Sequence, residues 1–364
     1  MYTKKDFLGE LASNYGVRSI QQQLHSNLND YQSVTAEIPT SLSNSELERF
    51  ELLLQLNDFN RVEQDTHYKT HKGYPSPRSL YPIKLFIALG DQYFISKHPT
   101  DHRLEYFRNN VLHATKGDIL IEFEDKYPVY YLHIKKTLLL LEAGHLLYNV
   151  LYVGEQLGLT YKLHCTQQQI HLELIDMAMD STNFKDISSF METAAIRNSG
   201  PYLHSITYPY PKYLTNPDEF NSRLEQVIRD TAKFFQFEDK HSIQALTYYN
   251  VGEGDFVCST DKQQPISYQS LNKIYPFVNS YGVSFVTFLL LDHRCLTDKN
   301  ASDYLLALGF IAQFLCLQHS DKEQFCRPIK SFNIDEVEEL FGLDSSSYTP
   351  FYFTLSGSKP QRRL

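Results

Sequence analysis

Histidine and cysteine come close together at His164-Cys165 and His171, and this is the first place to look for chemistry. Zinc sites need four such ligands, so one cysteine and two histidines fall short. Val251-Gly-Glu-Gly-Asp-Phe256 carries Gly-x-Gly. It lacks a third glycine and a following helix, so it reads as a turn and not as a phosphate cradle. No Gly-x-Ser-x-Gly elbow is present for an activated serine. His145 falls on an apolar helical stretch and reads as an interior or interface histidine. The five cysteines, Cys165, Cys258, Cys295, Cys316 and Cys326, form no Cys-x-x-Cys pair and imply neither a zinc site nor a disulfide framework.

Composition narrows the classes that remain. The chain has 364 residues, 42% hydrophobic and 21% charged, which is globular. At roughly 150 residues per domain the length favours two domains, with one large domain as the rival. Net charge is 34 − 43 = −9. That argues against a nucleic-acid partner, which needs a basic stripe to neutralise phosphates, but leaves room for a local anion pocket. The apolar runs are short, so no membrane-spanning helix is expected. The N-terminal stretch has no apolar leader region and reads as mature, cytoplasmic protein. The 26 tyrosines and 24 phenylalanines suit a peptide- or ring-binding surface, or simply an aromatic core and rim.

Periodicity supplies the elements. Ser41–Gln55 reads as a helix with Ser and Asn at its start. Residues 61–74 read as a loop, Ile83–Leu89 as a buried strand and Tyr127–Ile134 as a further strand. Thr137–Leu159 is the clearest helix, with Gly144 and Gly154 as positions of close approach. Residues 178–195 carry a linker leading into a short helix, Ile187–Ile196. Pro217–Phe235, Tyr304–His319 and Ile334–Phe341 read as helices, the last capped by Asn333 and ended by Gly342. Leu246–Val251, Val283–Leu291 and Phe351–Leu355 read as strands. A constant offset of 165 residues brings Gly144 onto Gly309, Leu151 onto Cys316, Leu172 onto Val337 and Ile175 onto Leu340. A period of that size suggests two related domains, 1–180 and 181–364.

Several segments together resemble the FMN-dependent nitroreductase superfamily, in particular the SagB/ThcOx-type azoline dehydrogenases. The family carries a stretch close to P-S-x-G-x-L-Y-P, and this chain has Pro75-Ser76-Pro77-Arg78-Ser79-Leu80-Tyr81-Pro82. The family carries L-x-E-A-G-H-x-x-Q-N on a helix. This chain has Leu140-Leu-Glu-Ala-Gly-His145 followed by Tyr148-Asn149, and a second version at Leu308–Gln313. Arg197-Asn198-Ser199-Gly200-Pro201 is similar to the first half of the family's Arg-x-Ser-x-Arg, and Asn333–Asp344 with Pro350–Gly357 is similar to its ending. The resemblance implies an α+β fold. It would consist of two tandem nitroreductase-like domains, each an antiparallel sheet flanked by helices, paired as a pseudo-dimer.

The departures bear on the site. The family's glycine is Arg78 here, and its second arginine is Pro201. The family's catalytic Lys-Tyr pair falls near Tyr130-Tyr131 in the first copy and Cys295-Leu296 in the second, with lysine absent from both. The first copy keeps the Pro-Ser segment, while the second keeps Arg197, Ser199 and the C-terminal Lys359. Since the family's subunits share the flavin, the resemblance implies one surviving composite FMN site.

FMN carries a phosphate dianion, which needs charge-assisted donors. By resemblance the FMN-binding residues are Pro75, Ser76, Arg78, Ser79, Arg197, Ser199, Lys330, Ser331 and Lys359. Arg78 either binds phosphate or blocks the pocket, and Arg197 either serves the phosphate or caps a helix end. Azoline oxidation also needs a base for a carbon-bound proton. Tyr131 is the positional candidate, with Lys135 close by. The rival reading is a packing aromatic beside surface lysines. The implied activity is conversion of thiazoline or oxazoline rings to azoles in a ribosomally made precursor peptide, alone or with other subunits of a peptide-modifying complex. The alternative is a flavin-free relative acting as scaffold or peptide-binding subunit.

Overall fold

The computed structural model describes residues 3–11, 28–34, 42–63, 68–131, 133–165, 169–178, 183–200, 216–252, 255–259, 264–277, 282–320, 324–343 and 347–358. They fall into two units, one of Gln23–Ile196 and one that joins Tyr2–Gln22 to Arg197–Leu364. Helix α1 (Lys4–Leu11) therefore belongs to the second unit.

The first unit runs β1 (Tyr31–Ser33), α2 (Asn44–Gln55), β2 (Arg61–Val62), β3 (Thr70–His71), β4 (Ile83–Gly90), β5 (Tyr93–Lys97), β6 (Leu104–Asn109), β7 (Ile119–Phe123), α3 (Lys135–Gln156), β8 (Leu159–Cys165), β9 (Ile170–Met177) and α4 (Phe184–Ile196). Local chemistry starts α2 where expected. Ser43 Oγ accepts from Glu46 N at 3.3 Å, and Ser43 N donates to Glu46 Oε2 at 2.9 Å. This reciprocal box satisfies two donors that the first turn leaves open. Alternate residues of β4 face opposite sides of its sheet. Phe86 and Ala88 join Tyr31, Phe94, Phe107 and Leu120 in one buried cluster, and β4 also packs on α2 and α3.

The second unit runs α5 (Pro217–Phe234), β10 (Ile243–Gly252), β11 (Asp255–Cys258), β12 (Ile266–Ser267), α6 (Tyr268–Ile274), β13 (Val283–Asp292), α7 (Ala301–Ser320), β14 (Gln324–Ile329), α8 (Ile334–Phe341) and β15 (Tyr348–Ser358). Every residue of β13 is buried, as its unbroken apolar run suggests. Gly342 ends α8 in the left-handed conformation, φ 62°.

The expected α+β class holds, with antiparallel sheets flanked by helices. Omitting β1, the first sheet reads β6-β5-β4-β7-β9-β8, and the second reads β12-β11-β10-β13-β15-β14. The two orders correspond strand for strand. In each unit a helix, α2 or α5, precedes the first of these strands in sequence, and the long helix joins the fourth to the fifth.

Three sequence expectations are corrected. Tyr127–Ile134 forms no strand. Pro128 offers no N–H to a ladder, Tyr131 N bonds back to Pro128 O at 2.9 Å, and Val129–Tyr131 closes into a single 3-10 turn. The constant offset holds for the long helices α3 and α7 but not beyond. Leu172 and Ile175 lie on β9, whereas Val337 and Leu340 lie on α8, which has no equivalent among the described residues between β8 and β9. Finally, α3 and α7 do reach the length and hydropathy of a spanning helix, although in each 83% of the apolar window is buried inside the structure. Their scattered polar residues, such as Glu142, His145 and Gln313, break up the apolar run in sequence.

Candidate functional site

The loop Pro75–Pro82 leads into β4. Three prolines restrict its backbone, and Pro77–Ser79 forms one 3-10 turn. Arg78 (φ 53°), Ser79 (φ 52°) and Tyr81 (φ 46°) are all left-handed. Each non-glycine residue there costs roughly 1–2 kcal/mol, so other contacts must hold the loop. Arg78 thus occupies a conformation that a glycine adopts freely, and the arginine there carries the strain.

Ser76 supplies one such contact. Its Oγ accepts from Tyr81 N at 2.9 Å and donates to Glu142 Oε2 at 2.8 Å. Tyr127 OH donates to the same oxygen at 3.0 Å. Glu142 lies on α3 and is 2% exposed, and its Oε1 has no hydrogen-bond partner among the described residues. Burial pushes its carboxyl up to about 8, against the pull of Ser76, Tyr127, Lys72 and Lys126.

Lys72 is buried close by. Its Nζ donates to Asn57 Oδ1 at 2.8 Å, an atom that also accepts from Tyr74 OH at 2.7 Å. The ammonium lies over the rings of Phe59 at 5.3 Å, Tyr81 at 5.4 Å and Tyr74 at 5.9 Å. Burial pushes it down to about 7, although Glu142 favours its charged form. Its backbone N donates to Tyr81 OH at 3.0 Å. The loop is thus gripped on both sides, at Ser76 by Glu142 and at Tyr81 by the Lys72 backbone.

Above this network Arg78 is exposed. Its guanidinium lies 4.7 Å from the centre of the Tyr130 ring and is close enough to Tyr131 to interact electrostatically with it. Slight desolvation opposes its charge, but Tyr131, Tyr68 and Tyr130 outweigh that and raise its pKa. Tyr131 is half-buried at the end of the 3-10 turn. Ser79 Oγ lies 3.3 Å from His71 Nδ1. Pro75 is half-buried. Lys135, in the first turn of α3, is buried and ion-paired with Asp125. Its ammonium is engaged by the Asp125 carboxylate.

The other expected residues belong to the second unit. Arg197 is 2% exposed, and its Nη1 donates to Ser199 Oγ at 3.0 Å. The segment runs along β14, where Cys326 N donates to Asn198 O at 2.9 Å and Arg327 Nε to Ser199 O at 2.8 Å. Lys330 is buried, 3.3 Å from Glu10 Oε2 and 4.0 Å from the Phe351 ring centre, and burial lowers its pKa. Ser331 is half-buried between β14 and α8. Pro201 and Lys359 lie outside the described residues.

Three groupings of His, Cys and acidic residues make contacts among themselves or with Arg294. His164 meets Glu173 at 2.7 Å, and His171 meets Asp118 at 3.0 Å. Ligand atoms of Asp239, Asp292 and Cys295 lie within 4.8 Å of one another, but Asp292 is held by Arg294 Nη2 at 2.7 Å and Nε at 3.1 Å.

The structure therefore brings Ser76, Arg78, Ser79 and Tyr131 to one neighbourhood of the first unit. Sequence reasoning missed the groups beneath them, namely Glu142, Lys72, Asn57 and Tyr127. One signal was available, since Glu142 interrupts a helical run of leucines and an unpaired carboxylate is rarely placed there.

No protein-family model and no curated protein matches the chain. Among solved structures, an Anabaena variabilis protein provisionally assigned as a nitroreductase aligns over 90% of this chain and 93% of its own, with TM-score 0.63 and 12% identity. An FMN-dependent nitroreductase of Clostridium difficile aligns over 44% of this chain and 88% of its own, with TM-score 0.27 and 9% identity. A nitroreductase-family protein of Streptococcus pneumoniae aligns over 48% and 92%, with TM-score 0.32 and 14% identity. The last two similarities are too slight to carry an argument. The first shows that the chain has a nitroreductase-like fold.

Proposed function

We propose that the protein is a flavin-dependent oxidoreductase that takes FMN and dehydrogenates thiazoline or oxazoline rings in a ribosomally made peptide. The observation that carries this reading is the nitroreductase-like fold over 90% of the chain, combined with the Pro75–Pro82 loop that resembles the family's flavin-contacting segment. The groups at the loop suit such a cofactor. Arg78 offers an exposed guanidinium for a phosphate, Ser79 offers a hydroxyl, and Tyr130 and Tyr131 offer ring faces. Ser76 acts from beneath, since its hydroxyl is already engaged by Glu142 and Tyr81.

FMN supplies the hydride acceptor, with oxygen as the final oxidant. The chain supplies position and a base. Tyr131 is the proposed base: as the phenolate, paired with the Arg78 guanidinium, its oxygen would take the carbon-bound proton of the ring and become the phenol. Lys135 is ion-paired with Asp125 and serves to hold the first turn of α3. The proposed setting is the cytoplasm, with a precursor peptide as substrate and other subunits of a peptide-modifying complex as partners.

One set of observations favours the second reading, a flavin-free scaffold or peptide-binding subunit. Arg197, Ser199 and Lys330 are bonded within their own unit, and no lysine stands beside Tyr131 at the family's position. A visible absorption spectrum of the purified protein decides between the two, together with supernatant fluorescence after heat denaturation. Stoichiometric flavin supports the oxidoreductase and leads to an azoline oxidation assay. A colourless protein that takes up no added FMN overturns the flavin reading and favours the scaffold reading.

A further inference from the structure

The loop Pro75–Pro82 holds three left-handed non-glycine residues, and such a run persists only where its surroundings over-determine it. The restraint can be traced atom by atom. Tyr81 N–H donates to Ser76 Oγ, Ser76 O–H donates to Glu142 Oε2, and Tyr127 O–H donates to that same oxygen. The bonds converge from two sides, and Glu142 is the common acceptor where they meet. Its place is fixed because α3 is the buried central helix of the unit and Glu142 is 2% exposed on it. Sixty-six residues separate Ser76 from Glu142, so this is a tertiary tie and not a local turn contact.

We propose that Glu142 is the positioning residue of this loop, fixing through Ser76 the left-handed run that presents Arg78 to a ligand. Its consequence for flavin binding rests on the reading given above, but the positioning itself does not. A carboxyl oxygen with two donors holds two separate segments at once, the Pro75–Pro82 loop through Ser76 and the Glu124–Ile134 connection through Tyr127. Arg78 leaves the first segment, and Tyr130 and Tyr131, which it contacts, leave the second. Glu142 therefore sets the distance between the cation and the rings it lies against, without touching either.

Arg78 gives this a direct readout, because it is an exposed tryptic site at the tip of the loop. The test compares native-state tryptic cleavage after Arg78 in the parent, Glu142→Ala, Glu142→Gln and Ser76→Ala, with FMN titrated into each. Glu142→Ala and Ser76→Ala are expected to speed cleavage by about tenfold or more. Glu142→Gln keeps a carbonyl oxygen for both donors and is expected to stay within about twofold of the parent. FMN affinity should follow the same order. Cleavage at the parent rate in Glu142→Ala overturns the proposal, as does opening in Glu142→Gln equal to that in Glu142→Ala. If Glu142→Ala fails to fold, hydrogen exchange of the Tyr81 amide in Ser76→Ala carries the test, and unchanged protection overturns it. If no variant or parent binds FMN while the cleavage order holds, the flavin reading falls and the positioning role stands.

Discussion

Arg197 donates to Ser199 Oγ at 3.0 Å, so two residues whose types suit a phosphate are bonded to each other inside the second unit. Arg197 is also among the largest fully buried side chains. Its removal leaves hydrogen-bonding groups in the interior without partners. Arg197→Ala is expected to lower stability by about 1–3 kcal/mol, read as the urea midpoint. A midpoint unchanged from the parent would mean the guanidinium contributes nothing to the fold and is free for another role.

Arg78 offers the contrasting case. Arg78→Gly removes roughly 1 kcal/mol of left-handed strain and also a cation–ring contact of about 0.5–1 kcal/mol. Stability should stay within about 1 kcal/mol of the parent, while FMN affinity falls about tenfold or more. Urea unfolding and flavin titration on the same sample separate the two effects. Parent-like affinity would remove Arg78 from the phosphate site.

Tyr131→Phe keeps the ring and deletes only the hydroxyl. The variant is expected to retain flavin and to lose azoline turnover by about 100-fold or more. Full turnover in this variant excludes Tyr131 as the base.

Lys72 and Glu142 make stability depend on pH in opposite senses. Glu142 is raised from 4.5 to about 8, so its contribution is complete below pH 4.5 and is lost as pH rises to about 8. Lys72 is lowered from 10.5 to about 7, so its contribution is complete above pH 10.5 and is lost as pH falls to about 7. Between about pH 7 and 8 both are lost, and the pair is at its least favourable. The double variant Lys72→Met/Glu142→Gln removes both groups. Its Tm relative to the parent should be highest between pH 7 and 8 and decline on either side. A difference that does not vary with pH would show that neither group changes its charge on folding.

Elements governed by neighbours in sequence were the legible part of the fold. Ser and Asn residues mark the start of α2, Gly342 marks the end of α8, and the apolar run Val283–Leu291 marks β13. Tyr127–Ile134 has the aromatic and β-branched composition of a strand, yet Pro128 and two short-range bonds turn it into a 3-10 corner. Strands β8 and β9 went unrecognised, although Leu159-Thr-Tyr-Lys alternates as a half-buried strand should. At the site, Ser76 and Arg78 were legible as residue types. Their anchoring was not, because Glu142 and Lys72 reach the loop through the tertiary fold and no local pattern joins them.

The position of α1 bears on how this chain can be divided. Its Phe7 stacks on Phe351 at 5.1 Å, Lys4 N donates to Asp298 Oδ1 at 2.9 Å, and Glu10 neutralises Lys330. A fragment starting at Arg197 would keep every strand of the second sheet and still lack these partners. Its Lys330 ammonium would be sealed indoors without a counter-charge. A single cut therefore cannot release the second half intact. Expressing it alone would call for the first dozen residues to be grafted back or supplied in trans.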